Sequence, residues 1–252
     1  MKYLSLLARG IVFVSFVPVL AVAQNVTERS VEIRTSLSFR VAASAVQKLL
    51  PPGWTVPPST SAANSGSATI GVTMMERLMV VDAKDQPVGT GGIRYLVITT
   101  SARNAEGKAG TFAIGGISPD APGSYDVYLP ATTARVERTL EAKGLELGRV
   151  QETWEFAAAS GEKVSLSLHY RRGRLTKAHN DVVVRSGRHP EFQRTYHIDQ
   201  ASEVLRSATS DDRIETISFK ASGGFLASLF DDRATLVSVM SIPWYFREIT
   251  VP

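Results

Sequence analysis

Residues 69–81 read TIGVTMMERLMVV, and residues 88–102, which follow after a short turn, read VGTGGIRYLVITTSA. Both runs are rich in Val, Ile, Thr and Met and are bounded by Gly, Pro and Asp, which indicates the two strands of a β-hairpin. Every second residue of a strand lies on the same face. The even-numbered positions of both runs are mostly apolar, with Glu76 and Arg94 as the charged exceptions. The hairpin therefore predicts a β-rich protein in which these two charged residues point inward.

The apolar residues of the two strands also predict how the strands pair. When Met74 lies opposite Leu96, Glu76 lies opposite Arg94. In this register apolar side chains pair with apolar side chains and the acid pairs with the base. The glycines in the stretch 89–92 stand in a strand after a turn, with no helix following, so they predict a bulge or a close backbone approach and not a nucleotide-binding loop.

A second hairpin is predicted from residues 150–156 and 164–170. Its apolar face carries Trp154 and, across the hairpin, Tyr170, and it includes Glu152 as a second acid in an apolar row. A local bulge that turns Glu152 to solvent is the alternative.

Helical periodicity is rare in the chain. It predicts one helix from Ala42 to Leu50, ended by Pro51, and another over about Thr133 to Lys143, where Val136 and Leu140 lie one turn apart. The remaining segments alternate between short β-rich runs and turn residues. We expect a mainly β (α+β) domain with two or three short helices, formed by residues 24–252.

The first 23 residues have the pattern of a cleavable signal peptide: Lys2 and Arg9, an apolar run, and small residues before a cut between Ala23 and Gln24. A retained anchor is the alternative, but the apolar run is shorter than the roughly 20 residues that a spanning helix needs. The sequence thus predicts a periplasmic or secreted bacterial protein with no stable membrane insertion after cleavage.

Composition narrows the function classes. The chain has 28 Lys and Arg against 24 Asp and Glu, without a block of like charges, which argues against a nucleic-acid partner. It has no cysteine, which excludes disulfides and thiol nucleophiles. Its four histidines are about ten residues apart, unlike helical zinc motifs, and no dinucleotide or phosphate-loop fingerprint is present. We expect no metal and no cofactor.

The order of short motifs resembles the acetoacetate decarboxylase-like superfamily. The residues that carry this resemblance are Leu49–Trp54 at the end of the first helix, Arg94-Tyr95 in the hairpin, Gly110–Phe112 and Tyr128–Pro130, within a match over about residues 41–197. The resemblance implies a cone-shaped, largely antiparallel β-barrel around a cavity for a small oxo acid or a related ligand.

Two departures from that pattern bear on activity. The decarboxylases of the superfamily have a lysine pair after a Gly-aromatic-Pro turn, whereas Pro130 is followed here by Ala131, Thr132 and Thr133. The family's acid two residues after the strand tyrosine is replaced by Val97. The resemblance therefore implies the fold without decarboxylation through a Schiff base.

Three functions remain open at this point. The first is an exported cavity protein that binds a small organic ligand, either a carboxylate or an aromatic compound. The second is a cofactor-free lyase, hydrolase or isomerase in which an inward Glu acts as acid or base and Arg94 anchors an anion. The third is a structural envelope protein with a filled barrel, in which the Glu–Arg pair is a structural ion pair. The candidate catalytic residues are Glu76 and Glu152, and the candidate ligand-binding residues are Arg94, Tyr95, Tyr128, Trp154 and Tyr170.

Overall fold

The structure, a computed structural model, describes residues 25–58, 65–89 and 91–251. The predicted leader, residues 1–23, lies outside the described residues. Strands make up most of the described chain, and they are joined by two short helices. In chain order the elements are β1 (Asn25–Ala42), α1 (Ala43–Gln47), β2 (Trp54–Thr55), β3 (Ser67–Asp82), β4 (Ile93–Asn104), β5 (Ala109–Ser118), β6 (Tyr128–Glu141), β7 (Arg149–Ala158), β8 (Lys163–Arg171), β9 (Thr176–Ser186), β10 (Gln193–Arg206), β11 (Ile214–Ser222), α2 (Gly224–Leu229) and β12 (Thr235–Val251).

Seven strands close into a ring. The order β5-β9-β10-β12-β1-β3-β4 is continuous, and pairing of β4 with β5 returns the sheet to its start. All of these pairs are antiparallel except β5–β9. The expected mainly β, largely antiparallel barrel is thereby confirmed.

A second layer covers one wall of the barrel. Strands β6, β7, β8 and β11 form an antiparallel sheet that joins β5 through a short parallel pairing of β6. The main apolar core lies between this layer and the outer face of the barrel wall, where Val72, Met74 and Ile98 meet Trp154 and Leu166. A smaller apolar cluster, which includes Ile198 and Ile249, lies inside the barrel.

The first hairpin forms in the predicted register. Met74 pairs with Leu96, and Glu76 pairs with Arg94. The glycines that follow the turn have positive φ, and a Cβ on Gly91 would lie 3.3 Å from the carbonyl oxygen of Leu78. Of the two predicted alternatives, a bulge or a close backbone approach, the close approach is confirmed.

The second hairpin also matches its prediction. Glu152 pairs with Leu168, and Trp154 pairs with Leu166. Glu152 is buried, so the alternative in which it turns to solvent is wrong.

One helix prediction is confirmed and the other is wrong. Helix α1 falls within the predicted stretch of residues 42–50, but Thr133 to Lys143 is mostly strand β6, paired with β7 along its length. Val136 and Leu140 are four residues apart, and that spacing puts two residues on one face of a strand as well as of a helix. Within the described ranges, no helix is long and apolar enough to cross a membrane.

Candidate binding cavity

The interior of the barrel contains a cavity of about 910 Å³. This volume is in the range of small-molecule sites in proteins. The walls are the inward faces of the ring strands together with the loop between β5 and β6. Five of the seven tyrosines in the sequence line it: Tyr95, Tyr125, Tyr128, Tyr196 and Tyr245.

A buried carboxylate lies at the centre of the charged part of the wall. Glu32 is fully buried, and its oxygens lie 2.5 Å from Arg34, 3.1 Å from Arg247 and 3.5 Å from Arg77. Burial raises the pKa of Glu32, but the charges of Arg247, Arg34 and Arg77 and a hydrogen bond from Ser30 outweigh it and lower the pKa to about 2. Glu32 is therefore ionised throughout the physiological pH range.

Arg247 links this carboxylate to the tyrosines. Its side chain is buried, donates a hydrogen bond to the Tyr95 hydroxyl at 3.1 Å, and lies over the Tyr196 ring with Cζ 5.1 Å from the ring centroid. Burial lowers the pKa of Arg247, but the charge of Glu32 outweighs this effect and keeps the pKa well above its usual value. The guanidinium is thus a permanent cation in the cavity wall.

The tyrosine hydroxyls are held in the neutral form. The Tyr125 and Tyr196 hydroxyls are 2.5 Å apart and share a hydrogen bond. Burial is the main cause that raises the pKa of Tyr125, Tyr128 and Tyr196. These hydroxyls can accept hydrogen bonds from a ligand or donate hydrogen bonds to it at neutral pH.

Two glycines leave room for one of these rings. A Cβ on Gly116 would lie 2.7 Å from the Tyr128 ring and 2.2 Å from the carbonyl oxygen of Leu96, and a Cβ on Gly123 would also lie 2.7 Å from that ring. The absence of a side chain at these two positions therefore lets the Tyr128 ring pack closely against β5 and the preceding loop as part of the cavity wall.

Arg194, at the start of β10, differs from the other arginines of the cavity. It lines the cavity, yet it forms no ion pair with any residue of the described ranges, and its Nε atom is buried without a hydrogen-bond partner. Its guanidinium lies 5.8 Å from the Phe192 ring. A half-buried cation without an acidic partner lowers the stability of the folded protein unless a ligand supplies the negative charge.

The residues selected from the sequence divide between two places. Tyr95 and Tyr128 line the cavity. The other five lie between the barrel and the second layer, on the opposite face of the wall: Glu76, Arg94, Glu152, Trp154 and Tyr170. Glu76 and Arg94 do not line this cavity, because the even-numbered face of β3 and β4 turns toward the second layer.

Four of these residues, Glu76, Arg94, Glu152 and Trp154, form a partly buried polar network with Arg138, which we call the interlayer network. Arg94 contacts Glu76 at 2.6 Å, and Arg138 lies between the two acids, 2.6 Å from Glu152 and 3.7 Å from Glu76. Trp154 donates a hydrogen bond from its indole N–H to Glu152 at 2.5 Å. Each carboxylate thus has an arginine partner within the network.

Tyr170 belongs to the same layer. Its hydroxyl shares a hydrogen bond of 3.0 Å with Ser241, and burial raises its pKa to about 12. It therefore anchors the second layer to β12.

Sequence reasoning missed most of the charged cavity residues, namely Arg34, Arg77, Arg194 and Arg247. A signal was present for one of them, because Arg77 and Tyr95 share the odd-numbered face of the first hairpin. Among the residues that the structure describes, no histidine lines the cavity: His179 pairs with Asp199, and His197 pairs with Asp181. No group of three possible metal ligands occurs in the described part of the chain.

Comparison with known proteins supports the fold. No protein-family model and no curated protein sequence matches the chain. Among solved structures, the enduracididine biosynthesis enzyme MppR complexed with pyruvate aligns with a TM-score of 0.53 and 15% identity, over 92% of this chain and 91% of that one. An acetoacetate decarboxylase-like enzyme from Sphingomonas wittichii RW1 aligns with a TM-score of 0.50 and 15% identity, over 90% and 91% of the two chains. The resemblance predicted from the motifs is thus confirmed for the fold.

Proposed function

We propose that the chain binds a small organic carboxylate, with an aromatic or other apolar group attached, inside the barrel. The observation that carries this proposal is Arg194, which faces the cavity with a buried, unbonded Nε atom and no acidic partner in the described ranges. A ligand carboxylate would supply the missing charge and accept hydrogen bonds from the guanidinium.

The remaining walls suit the rest of such a ligand. The aromatic faces of Tyr128 and Tyr196, with Met75, Val97 and Ile198, offer apolar contact between the charged groups. Pockets of this kind bind ligands through apolar area and orient them through a few polar groups. MppR, which shares the fold, has been solved with pyruvate, itself a small carboxylate.

The ligand in this proposal binds without forming a covalent adduct with a lysine. No lysine of the described ranges lines the cavity. A Schiff-base lysine has to lie beside its substrate in a desolvated setting. The leader at residues 1–23 would place this binding outside the cytoplasm, which N-terminal sequencing of the protein recovered from a periplasmic extract would test.

A catalytic alternative is less well supported. Glu76 and Glu152 lie in the interlayer network, away from the cavity. Glu32 does lie beside the cavity, but three arginines keep it ionised and surrounded, with a pKa of about 2 that makes it a weak base.

The test is calorimetric titration of the purified mature protein with matched acids and amides, for example phenylacetate and phenylacetamide. We expect the acid to bind and the amide to bind at least tenfold more weakly, because only the acid can pair with Arg194. Arg194→Gln should remove this difference. Arg174→Gln, at an exposed arginine, is the matched control and should preserve it. Equal binding of acids and amides to the unaltered protein would overturn the proposal.

A further inference from the structure

Positive charges outnumber negative charges around the cavity. Three arginines, Arg34, Arg77 and Arg247, share two carboxylates, Glu28 and Glu32. All three arginine side chains are nearly buried, with exposed fractions of 11%, 11% and 8%. The cluster therefore holds one positive charge more than its acids neutralise.

Arg194 adds a second excess charge from another strand. It lies two residues before Tyr196 on β10, so both side chains lie on the inner face of the barrel. Tyr196 is in turn covered by Arg247, whose Cζ is 5.1 Å from the ring centroid. The charges of Arg247 and Arg194 both act on the Tyr196 hydroxyl, so Arg194 and the cluster around Glu32 lie near the same tyrosine.

The remaining acids of the cavity wall do not balance this charge. Asp120 and Asp181 also contribute to the lining, but both are exposed to solvent. Water screens the interaction of exposed carboxylates with distant cations far more than it screens buried pairs. Two positive charges therefore remain without a counter-charge in the interior.

We infer that the natural ligand is a dianion: a small dicarboxylate whose two carboxylates are separated by a short apolar or aromatic spacer. One carboxylate pairs with Arg194 and the other with the excess charge of the arginine cluster. The spacer lies against Tyr196 and its apolar neighbours. This inference rests on the proposed function and narrows its ligand class from one anionic group to two.

The experiment compares probes that differ by one charge at constant shape. Benzene-1,4-dicarboxylate and 4-carbamoylbenzoate form an aromatic pair, and glutarate and glutaramate form an aliphatic pair. We expect the dianion of at least one pair to bind at least tenfold more tightly than its monoanion, since it satisfies both cationic centres. Raising the salt concentration should weaken the dianion more than the monoanion.

Variants at Arg194 test whether this arginine pairs with one of the two ligand carboxylates. In Arg194→Gln the preference for the dianion should fall to about onefold, whereas Arg174→Gln should retain it. A thermal unfolding curve for each variant shows that the fold is kept. If Arg194→Gln does not fold, Arg194→Lys, which keeps the charge and loses the fork geometry, should retain a preference for the dianion.

The outcomes separate the two proposals. Equal affinity of mono- and dianion in both pairs would overturn the dianion inference and leave the carboxylate-binding function standing. Absence of binding by all four probes would overturn both.

Discussion

Arg94 donates a hydrogen bond to Glu76 at 2.6 Å, and the pair lies on the face of β3 and β4 that turns away from the cavity. The pair is partly exposed, with 34% of the Arg94 side chain accessible. Arg94→Gln should therefore cost about 1 kcal/mol of unfolding free energy, measured by urea denaturation, and should change ligand affinity less than twofold.

The neighbouring Arg77 is the natural control, because it projects from the same hairpin into the cavity. Arg77→Gln should weaken carboxylate binding severalfold. A tenfold loss of affinity in Arg94→Gln, at an unchanged fold, would contradict the assignment of this pair to the interlayer network.

Glu152 should matter more for stability than any other member of that network. Its side chain is 2% exposed and accepts hydrogen bonds from Arg138 and from the hydroxyl of Thr35. Glu152→Gln puts an N–H donor among these donors and leaves Arg138 with only the more distant Glu76, at 3.7 Å, as a counter-charge. We expect a loss of about 3 kcal/mol in denaturant unfolding. Glu155→Gln, on the same strand but 42% exposed, should cost less than about 0.5 kcal/mol; similar losses in the two variants would refute the special position of Glu152.

The alternation of residues in β3 and β4 was enough to predict their register and the Glu76–Arg94 pair. It could not predict the side on which the cavity lies. A strand in this barrel wall has enclosed environments on both faces, the cavity on one and the second layer on the other. A charged residue in an apolar row therefore has the same sequence pattern whichever face it occupies, so alternation alone could not say whether the pair faces the cavity or the second layer.

The cavity residues of β10 and β12 could not be predicted from the local sequence, for a different reason. Arg194 and Arg247 come from strands that are brought beside Tyr95 only by closure of the ring. Their sequence neighbourhoods contain no motif that indicates which face is inner. Strand β6 shows a related limit, since its four-residue spacing of apolar side chains fits a strand and a helix equally well.

The lowered pKa of Glu32, caused by its three arginine neighbours, predicts a defined dependence of stability on pH. Its pKa is about 2 in the folded protein, against an ordinary value of 4.5 that the unfolded chain should have. A depressed pKa stabilises the fold above pH 4.5, and this contribution is lost as the pH falls from about 4.5 to 2. The loss should be on the order of 3 kcal/mol.

The measurement is the unfolding free energy as a function of pH for the unaltered protein and for Glu32→Gln. Between pH 4.5 and 2 the variant should show a slope smaller by about one proton. Glu155→Gln, at an exposed acid, should keep the slope of the unaltered protein. Superimposable slopes for Glu32→Gln and the unaltered protein would show that Glu32 is not the linked group.

Covalent trapping tests whether the cavity lacks a lysine that can form a Schiff base. Among the described residues, Ala131 and Thr132 follow Pro130 on β6, and no lysine faces the cavity. Incubation with pyruvate or acetoacetate and borohydride should add no mass to the protein, and acetoacetate should release carbon dioxide no faster than in the absence of the protein. Formaldehyde and cyanoborohydride, which modify exposed lysines, check that the reduction works. A single stoichiometric adduct with either oxo acid would refute the lysine-free assignment.

Alanine substitutions at Gly123 and Gly144 distinguish two losses of unfolding free energy, one from backbone strain and one from displacement of the Tyr128 ring. Both glycines have nearly the same left-handed backbone, with φ of +65° and +62°. A Cβ on Gly144 would meet nothing within 4 Å, whereas a Cβ on Gly123 would lie 2.7 Å from the Tyr128 ring. Gly144→Ala should therefore cost only the strain of about 1 kcal/mol that a left-handed alanine incurs.

Gly123→Ala should cost more than this and should also weaken ligand binding, because the displaced ring enters the cavity. Urea denaturation gives the first quantity and calorimetric titration with a carboxylate gives the second. The combined variant Gly123→Ala, Tyr128→Leu should recover part of the stability, since the smaller side chain relieves the contact and leaves only the backbone strain. Equal costs for the two glycine substitutions, with unchanged affinity, would mean that Tyr128 can move aside freely and does not form a fixed wall of the cavity.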